Sequence, residues 1–320
     1  MRDYAVQDRI IEHSSINETY DVTYISQISL ERLFIMKYIL LRWKGPISIC
    51  IFDPPDFKSR DIYKSTLIEN DRIQYTWYSI SRSDYPYNTL RNMAISKVIT
   101  SHYYVSDVDF FPEPNLYTHL LEIPETFLSD EWLAVIVPAF EIRSGRINSK
   151  TLALGFEAGH AVVPKNKKRL NMCISLGTCR VFRPNQPFHS YYYDSWYTQS
   201  SSTFITMVQC FKTNVQEPYV MVKRSSHLPS FDERFSGYGK DKISWIEHLR
   251  YIGYKFGILV NGFGVDIPHI KSQYYDTWVQ ELTYNGRKSL SSEKHYTEFL
   301  RELYSQPDRS VVHICDHTGQ

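Results

Sequence analysis

No apolar run in this sequence is long enough to cross a membrane. The most hydrophobic early stretch, LFIMKYILLRW at 33–43, is broken by Lys37 and Arg42, whereas a spanning helix needs about 20 apolar residues. The amino-terminal MRDYAVQDRIIEHSS also lacks the apolar centre of a secretory signal. As written, the chain is expected to be soluble and cytoplasmic. Cysteine is scarce and unpatterned: five residues, at 50, 173, 179, 210 and 315, form an odd set without C-x-x-C spacing. Neither a zinc site nor a complete disulfide framework is expected from them. Net charge is nearly absent as well. Thirty-six basic residues face 35 acidic ones, a balance of +1, so there is no basic field or stripe to recruit nucleic acid. Internal repeats and low-complexity tracts are also missing.

What is present is apolar and aromatic. The 320 residues are 42% hydrophobic and 15% aromatic, with 25 Tyr and six Trp, enough to bury a sizeable core. Most of these rings are expected to fill that core. The rest suit a surface that stacks flat faces of sugars or bases while hydrogen-bonding at its rim.

The first third reads as alternating strand and helix. VTYISQI (22–28) is a strand, SLERLFIMKYILLRW (29–43) a helix with Ser29 as N-cap, and Gly45-Pro46 its stop. ISICIF (47–52) and IQYTWYSI (73–80) are further strands, and TLRNMAISKV (89–98) is a helix leading into YYVSDVDFFP (103–112). This order predicts a parallel sheet with right-handed crossovers. EWLAVIVPAFEIR (131–143) is read as one strand, and the basic stretch 143–169 as loops over a modest helix. Aromatic and hydroxyl-rich 186–206 is read as a binding wall, YVMVKR (219–224) as a strand and ISWIEHLRYIGY (243–254) as a helix. FGILVNGFGVDIPHIK (256–271) is a last strand with loops, followed by a helical region.

Two acids end the apolar run 103–112. In an extended segment Asp107 and Asp109 project from one face, and at the carboxyl end of a parallel strand both can approach one hard cation. The alternative is a pair of solvated acids at a turn. A third ligand would be His269 in DIPHI, with Asp266 as an outer partner or simply solvated. Arg91, in the first turn of its helix, suits an anion or an ordinary capped helix equally. In GYGKDK, Gly237 and Gly239 permit close backbone approach. Asp241 serves there either as a charge complementing the helix dipole or as a general base.

Several stretches agree with one family: ISQISLERL with WKGPISICIF (25–52), YPYNTLRNMA (85–94), YYVSDVDFFP (103–112), VIVPAFE (135–141), WY (196–197), EPYVMVKR (217–224), FDERFSGYGKDK (231–242) and NGFGVDIPH (261–269). Across about residues 20–270 the chain resembles glycosyltransferase family 49, which holds the second catalytic domain of the LARGE xylosyl- and glucuronyltransferases and a β-1,4-glucuronyltransferase of dystroglycan glycan synthesis. The resemblance implies an α/β GT-A fold over one mixed sheet within a single catalytic domain, 1–320. Its parts would be a Rossmann-like nucleotide-binding half (about 20–112), an acceptor-binding half carrying the metal histidine (about 113–270) and a C-terminal helical extension (271–320). It implies an inverting transfer from a UDP-sugar to a hydroxyl of an oligosaccharide or glycoprotein glycan, with manganese, or magnesium, held by Asp107, Asp109 and His269. Ser106 and Val108 complete the donor-binding S-D-V-D stretch, and Arg91 and Asn92 would face the diphosphate or sugar. Trp196, Tyr197, Glu217, Gly237, Tyr238 and Lys240 would contact substrates. The base would be Asp241, with Glu141 as second candidate. The donor sugar would be glucuronic acid by family habit, with xylose, galactose or N-acetylglucosamine open, and Lys223, Arg224 or Lys240 could meet a uronate carboxylate. A carbohydrate-binding relative without turnover is the competing reading. Animal members are anchored in the Golgi, so the Golgi lumen is the alternative location if an anchor has been removed; oligomerisation stays open.

Overall fold

The computed structural model describes residues 19–81, 84–143, 152–191, 194–237, 239–269 and 287–315. Among the described residues fourteen strands run in chain order: β1 Val22–Ser29, β2 Ile47–Phe52, β3 Ile73–Tyr78, β4 His102–Val105, β5 Phe110–Pro112, β6 Leu133–Val137, β7 Ala139–Ile142, β8 Cys179–Val181, β9 Ile205–Met207, β10 Cys210–Phe211, β11 Tyr219–Lys223, β12 Lys255–Leu259, β13 Gly264–Asp266 and β14 His313–Ile314. Eight of them form one mixed sheet in the order β3-β2-β1-β4-β11-β6-β12-β9. The β3-β2-β1-β4 side is parallel. β11 runs antiparallel to both its neighbours, and β9 antiparallel to β12. A smaller sheet, β5-β13-β7-β8, stands beside it. This is the mixed α/β architecture, with its acid pair at the end of β4, that the resemblance implies.

Every residue of β1 and β2 is buried, as expected for parallel strands covered on both faces. The polar residues among them are satisfied internally. Thr23 Oγ1 lies 2.7 Å from Thr100 Oγ1, Gln27 accepts from the Tyr85 hydroxyl at 2.6 Å, and Ser48 donates to the Ala94 carbonyl at 2.8 Å.

Two expected elements are divided. The helix expected from 29 to 43 is a 3₁₀ segment, Leu30–Ile35, followed by an α-helix, Met36–Arg42. Ser29 does not cap it, because its hydroxyl donates to Glu31 Oε1 at 2.7 Å instead. The strand expected over 131–143 breaks at Pro138, which has no N–H to continue a ladder. β6 stays in the large sheet while β7 enters the small one, and the Pro138 carbonyl accepts from Gly264 N at 2.9 Å.

Gly264 has a steric reason. A Cβ there would sit 2.1 Å from the Phe110 ring, and that ring stacks on Tyr219 at 4.0 Å between centroids. The missing side chain thus lets the segment after Asp109 lie flat against the cleft wall.

The cysteine expectation is corrected. Cys173 pairs with Cys179 and Cys210 with Cys315, and Cys50 is buried and free. The second bridge spans 105 residues and joins the small β10–β14 pair, an approach that only the tertiary fold creates. The helix Arg287–Tyr304 packs on the helix Asp241–Tyr251 through Phe235, Ile243, Tyr251, Tyr296, Phe299 and Leu303. Among the described residues no helix is long and apolar enough to cross a membrane.

Candidate functional site

The chain leaves the sheet after Val105, and the acids lie on a turn: Phe110 N donates to the Asp107 carbonyl at 3.1 Å. The expected alternation along an extended strand therefore does not hold, and the two carboxylates meet different partners. Asp107 receives Lys242 Nζ at 2.5 Å, the Tyr219 hydroxyl at 3.0 Å and Arg91 at 3.3 Å. Asp109 receives Arg32 at 2.9 Å and lies 3.1 Å from His269 Nε2. Burial pushes both carboxyls up, but their partners outweigh it and hold them below the ordinary carboxylate range: Lys242 and Arg91 for Asp107, the His269 hydrogen bond and Arg32 for Asp109.

Three ligand atoms converge. Asp109, Asp266 and His269 each offer one within 4.8 Å of the others. Asp266 was weighed from sequence as an outer partner; here it stands in the cluster, whereas Asp107 is engaged by Lys242 and Arg91. Two carboxylates and an imidazole are a donor set that suits a borderline divalent ion such as manganese. The imidazole is oriented by stacking on Phe156, 5.0 Å away at 22°.

Arg91 is the hub of the opposite wall. It is buried within the helix Tyr87–Ile95, and its Nη1 donates to Asn88 at 2.9 Å and to Asp241 at 2.6 Å while Nη2 reaches Asp107. Burial alone would lower its pKa, but Asp241 and Asp107 raise it. Lys242 behaves likewise: burial opposes its charge, and Asp107 and Glu217 more than restore it. It lies 3.1 Å from Glu217 and 4.4 Å above the Tyr219 ring. Beside them His189, buried against Phe182 and Tyr219, is held neutral because burial drives its pKa well down.

These groups line a cleft of about 580 Å³, within the usual range for small-molecule sites. Val108, Glu217, Lys240 and Asp241 line it too. Ser106 is buried behind it, its hydroxyl 3.3 Å from the Asp107 carbonyl. Gly237, at φ 75°, donates to the Tyr85 carbonyl at 2.9 Å. Lys240, at φ 64°, pairs with Glu293 at 3.5 Å.

Other expected residues sit elsewhere. Asn92 clamps the 231–233 loop, donating to the Phe231 carbonyl and to Glu233, each at 2.9 Å, so it does not face the cleft. Trp196 is buried in the core, its indole donating to the Leu259 carbonyl at 2.9 Å, and Tyr197 packs edge-on against it. Glu141 holds Arg180 at 2.5 Å and the backbone N–H of Arg183 at 3.0 Å, which removes it from a base's position in the cleft. Lys223 and Arg224 turn to the Ser129 and Thr100 carbonyls. Tyr238 lies outside the described residues. Arg32, Lys242, Tyr219 and Arg183 were not singled out from sequence, since nothing in their spacing marks them; Lys242, immediately after Asp241, was the most accessible of the four.

The chain is 28% identical over 273 residues to xylosyl- and glucuronyltransferase LARGE1 of Danio rerio, covering 82% of this chain and 33% of that protein. It is 29% identical over 264 residues to the Mus musculus LARGE1, covering 79% and 32%. It therefore spans about a third of the length of these relatives. Among solved structures, GalNAc-T7 with UDP, GalNAc and Mn2+ superposes with a TM-score of 0.48 at 9% identity, over 91% of this chain and 55% of that one. The model of glycosyltransferase family 49, described as glycosyl-transferase for dystroglycan, matches residues 57–305, and the chain belongs to that family.

Proposed function

We propose that this chain is an inverting, divalent-metal-dependent glycosyltransferase that moves a sugar from a UDP-sugar to a glycan hydroxyl. The observation that carries the reading is the convergence of Asp109, Asp266 and His269 within 4.8 Å, in the same cleft as the Asp107–Arg91–Asp241 network. The three converging residues would hold the ion. Bound there, manganese would act as a Lewis acid that offsets charge developing on the departing diphosphate. Arg91 and Lys242 are fixed in place before substrate arrives, and such preorganised charge is most effective in a site shielded from water. Asp241, one oxygen held by Arg91 at 2.6 Å, takes the role of general base toward the acceptor hydroxyl. A single displacement with such a base inverts the anomeric centre. Glucuronate is the first donor sugar to test, since the named relatives are xylosyl- and glucuronyltransferases. Two disulfides favour an oxidising compartment over the cytosol.

A panel of UDP-sugars, each assayed for UDP release with and without manganese, tests the reading. One donor should be turned over, EDTA should stop it, and Asp109→Asn should abolish it while circular dichroism shows an intact fold. A carbohydrate-binding relative without turnover would bind glycan and release no UDP from any donor. That result would overturn the proposal.

A further inference from the structure

Among the described residues, three cations beside the acid cluster are each held by a carboxylate at short range: Arg32 by Asp109 at 2.9 Å, Arg91 by Asp241 at 2.6 Å and Lys242 by Asp107 at 2.5 Å. Arg183 differs. The carboxylate it reaches among the described residues is Glu217, at 4.0 Å, and its side chain remains 43% exposed within the cleft lining. Its guanidinium lies over the Phe182 ring, 4.8 Å from the centroid. Burial lowers its pKa, but Glu217, Tyr219, Asp266 and Asp107 together raise it.

The backbone under it is unusual. Arg183 has φ 47°, a left-handed conformation that residues with a Cβ disfavour. Strain of this kind persists where the surroundings over-determine it, and here they do. The Arg183 N–H donates to Glu141 Oε2 at 3.0 Å, its carbonyl accepts from Gln186 N at 3.0 Å, and the preceding Phe182 N–H donates to the Ala139 carbonyl at 3.0 Å. Glu141, expected from sequence as a possible base, thus serves to aim Arg183.

We infer that Arg183 is a specificity-determining residue that pairs with the sugar carboxylate of a hexuronate donor. The inference rests on the proposed reading of the cleft as a nucleotide-sugar site. A guanidinium meets a carboxylate bidentately. A neutral hexose presents a hydroxymethyl group at the same carbon, whose single uncharged oxygen offers neither the ion pair nor the two parallel N–H···O bonds of a carboxylate. Sites built around such a pair reject the analogue lacking it by about tenfold or more.

The test measures affinity and KM for UDP-glucuronate, UDP-glucose and UDP, all with manganese, in the wild type, Arg183→Gln and Arg183→Lys. Arg183→Gln should weaken UDP-glucuronate by about tenfold or more while UDP-glucose and UDP change less than twofold. Arg183→Lys, which keeps the charge but loses the fork, should fall between. Unchanged UDP affinity also shows that the variant is folded. Equal loss for all three ligands would assign Arg183 to the diphosphate and overturn the inference, as would no change in any. Wild-type protein that binds UDP without preferring the uronate overturns it as well and leaves the proposed function standing. Wild-type protein that fails to bind UDP at all removes that function first.

Discussion

Replacing Lys242 by Met keeps an unbranched apolar side chain and deletes the ammonium that sits 4.4 Å over the Tyr219 ring, 2.5 Å from Asp107 and 3.1 Å from Glu217. Breaking a buried pair by removing one partner typically costs about 3–5 kcal/mol. Asp107 would still have Arg91 at 3.3 Å and the Tyr219 hydroxyl at 3.0 Å, and both acids retain some solvent, with 22% and 14% of their side chains exposed. The expected loss is therefore nearer about 2–3 kcal/mol at neutral pH, or about 1 M in urea midpoint for a slope of about 2–3 kcal/mol/M. The pH dependence has a definite sign. The folded Asp107 carboxyl is depressed, against burial, by Lys242 and Arg91. Such a group contributes stability above the unfolded-chain value of about 3.9 and loses it as pH falls through the folded value. The gap between wild type and Lys242→Met should thus be widest near pH 7 and close as the pH drops below about 4. Urea unfolding followed by tryptophan fluorescence at both pH values measures it. Adding Glu217→Gln should recover part of the deficit, because it removes one of the two stranded charges. An unfolding midpoint at pH 7 equal to that of the wild type would refute the reasoning.

Glu113, buried between Arg42 and His119, has its carboxyl pushed up to about 7 by burial, despite a bond from Asn115 N–H and the nearby cations. The fold holds this proton while the unfolded chain releases it near 4.3. Stability should therefore fall by up to about 3 kcal/mol as pH rises from about 4.3 to 7, and Glu113→Gln should flatten that slope in calorimetric scans. Cys315→Ser opens a bridge across 105 residues and should cost about 2–5 kcal/mol. Denatured but unreduced wild-type protein should show one reactive thiol, Cys50, and five would refute both pairings. Trp196→Phe should cost about 1–3 kcal/mol through its lost bond to the Leu259 carbonyl and leave UDP-sugar affinity unchanged. Weakened donor binding at full stability would return Trp196 to the cleft.

Local signals served well where local physics decides. β2 spans the residues its apolar run predicts, because a short buried strand flanked by Gly45-Pro46 has few alternatives. They failed where a competing neighbour or a long-range partner decides. Ser29 has the chemistry of an N-cap, yet a neighbouring Glu31 takes its hydroxyl. The reading of 131–143 as one strand did not weigh Pro138, whose missing N–H lets the chain pass to another sheet. Site residues divide the same way. The acids, Arg91, Asp241 and His269 were visible in compact stretches. Their actual pairings, such as Lys242 with Asp107, cross 135 residues and follow from topology. Trp196 and Asn92 had the right residue types for a sugar site, but the fold uses one for core packing and the other to brace a loop.

One guanidinium, that of Arg91, grips both the turn beyond β4 and the first turn of a helix 150 positions away from it in sequence. In the proposed function, Asp241 on the acceptor side cannot drift without pulling on Asp107 on the donor side. Under that proposal, registration between the two reactants would be built during folding, and a lesion at Arg91 would disturb both halves of the proposed reaction together.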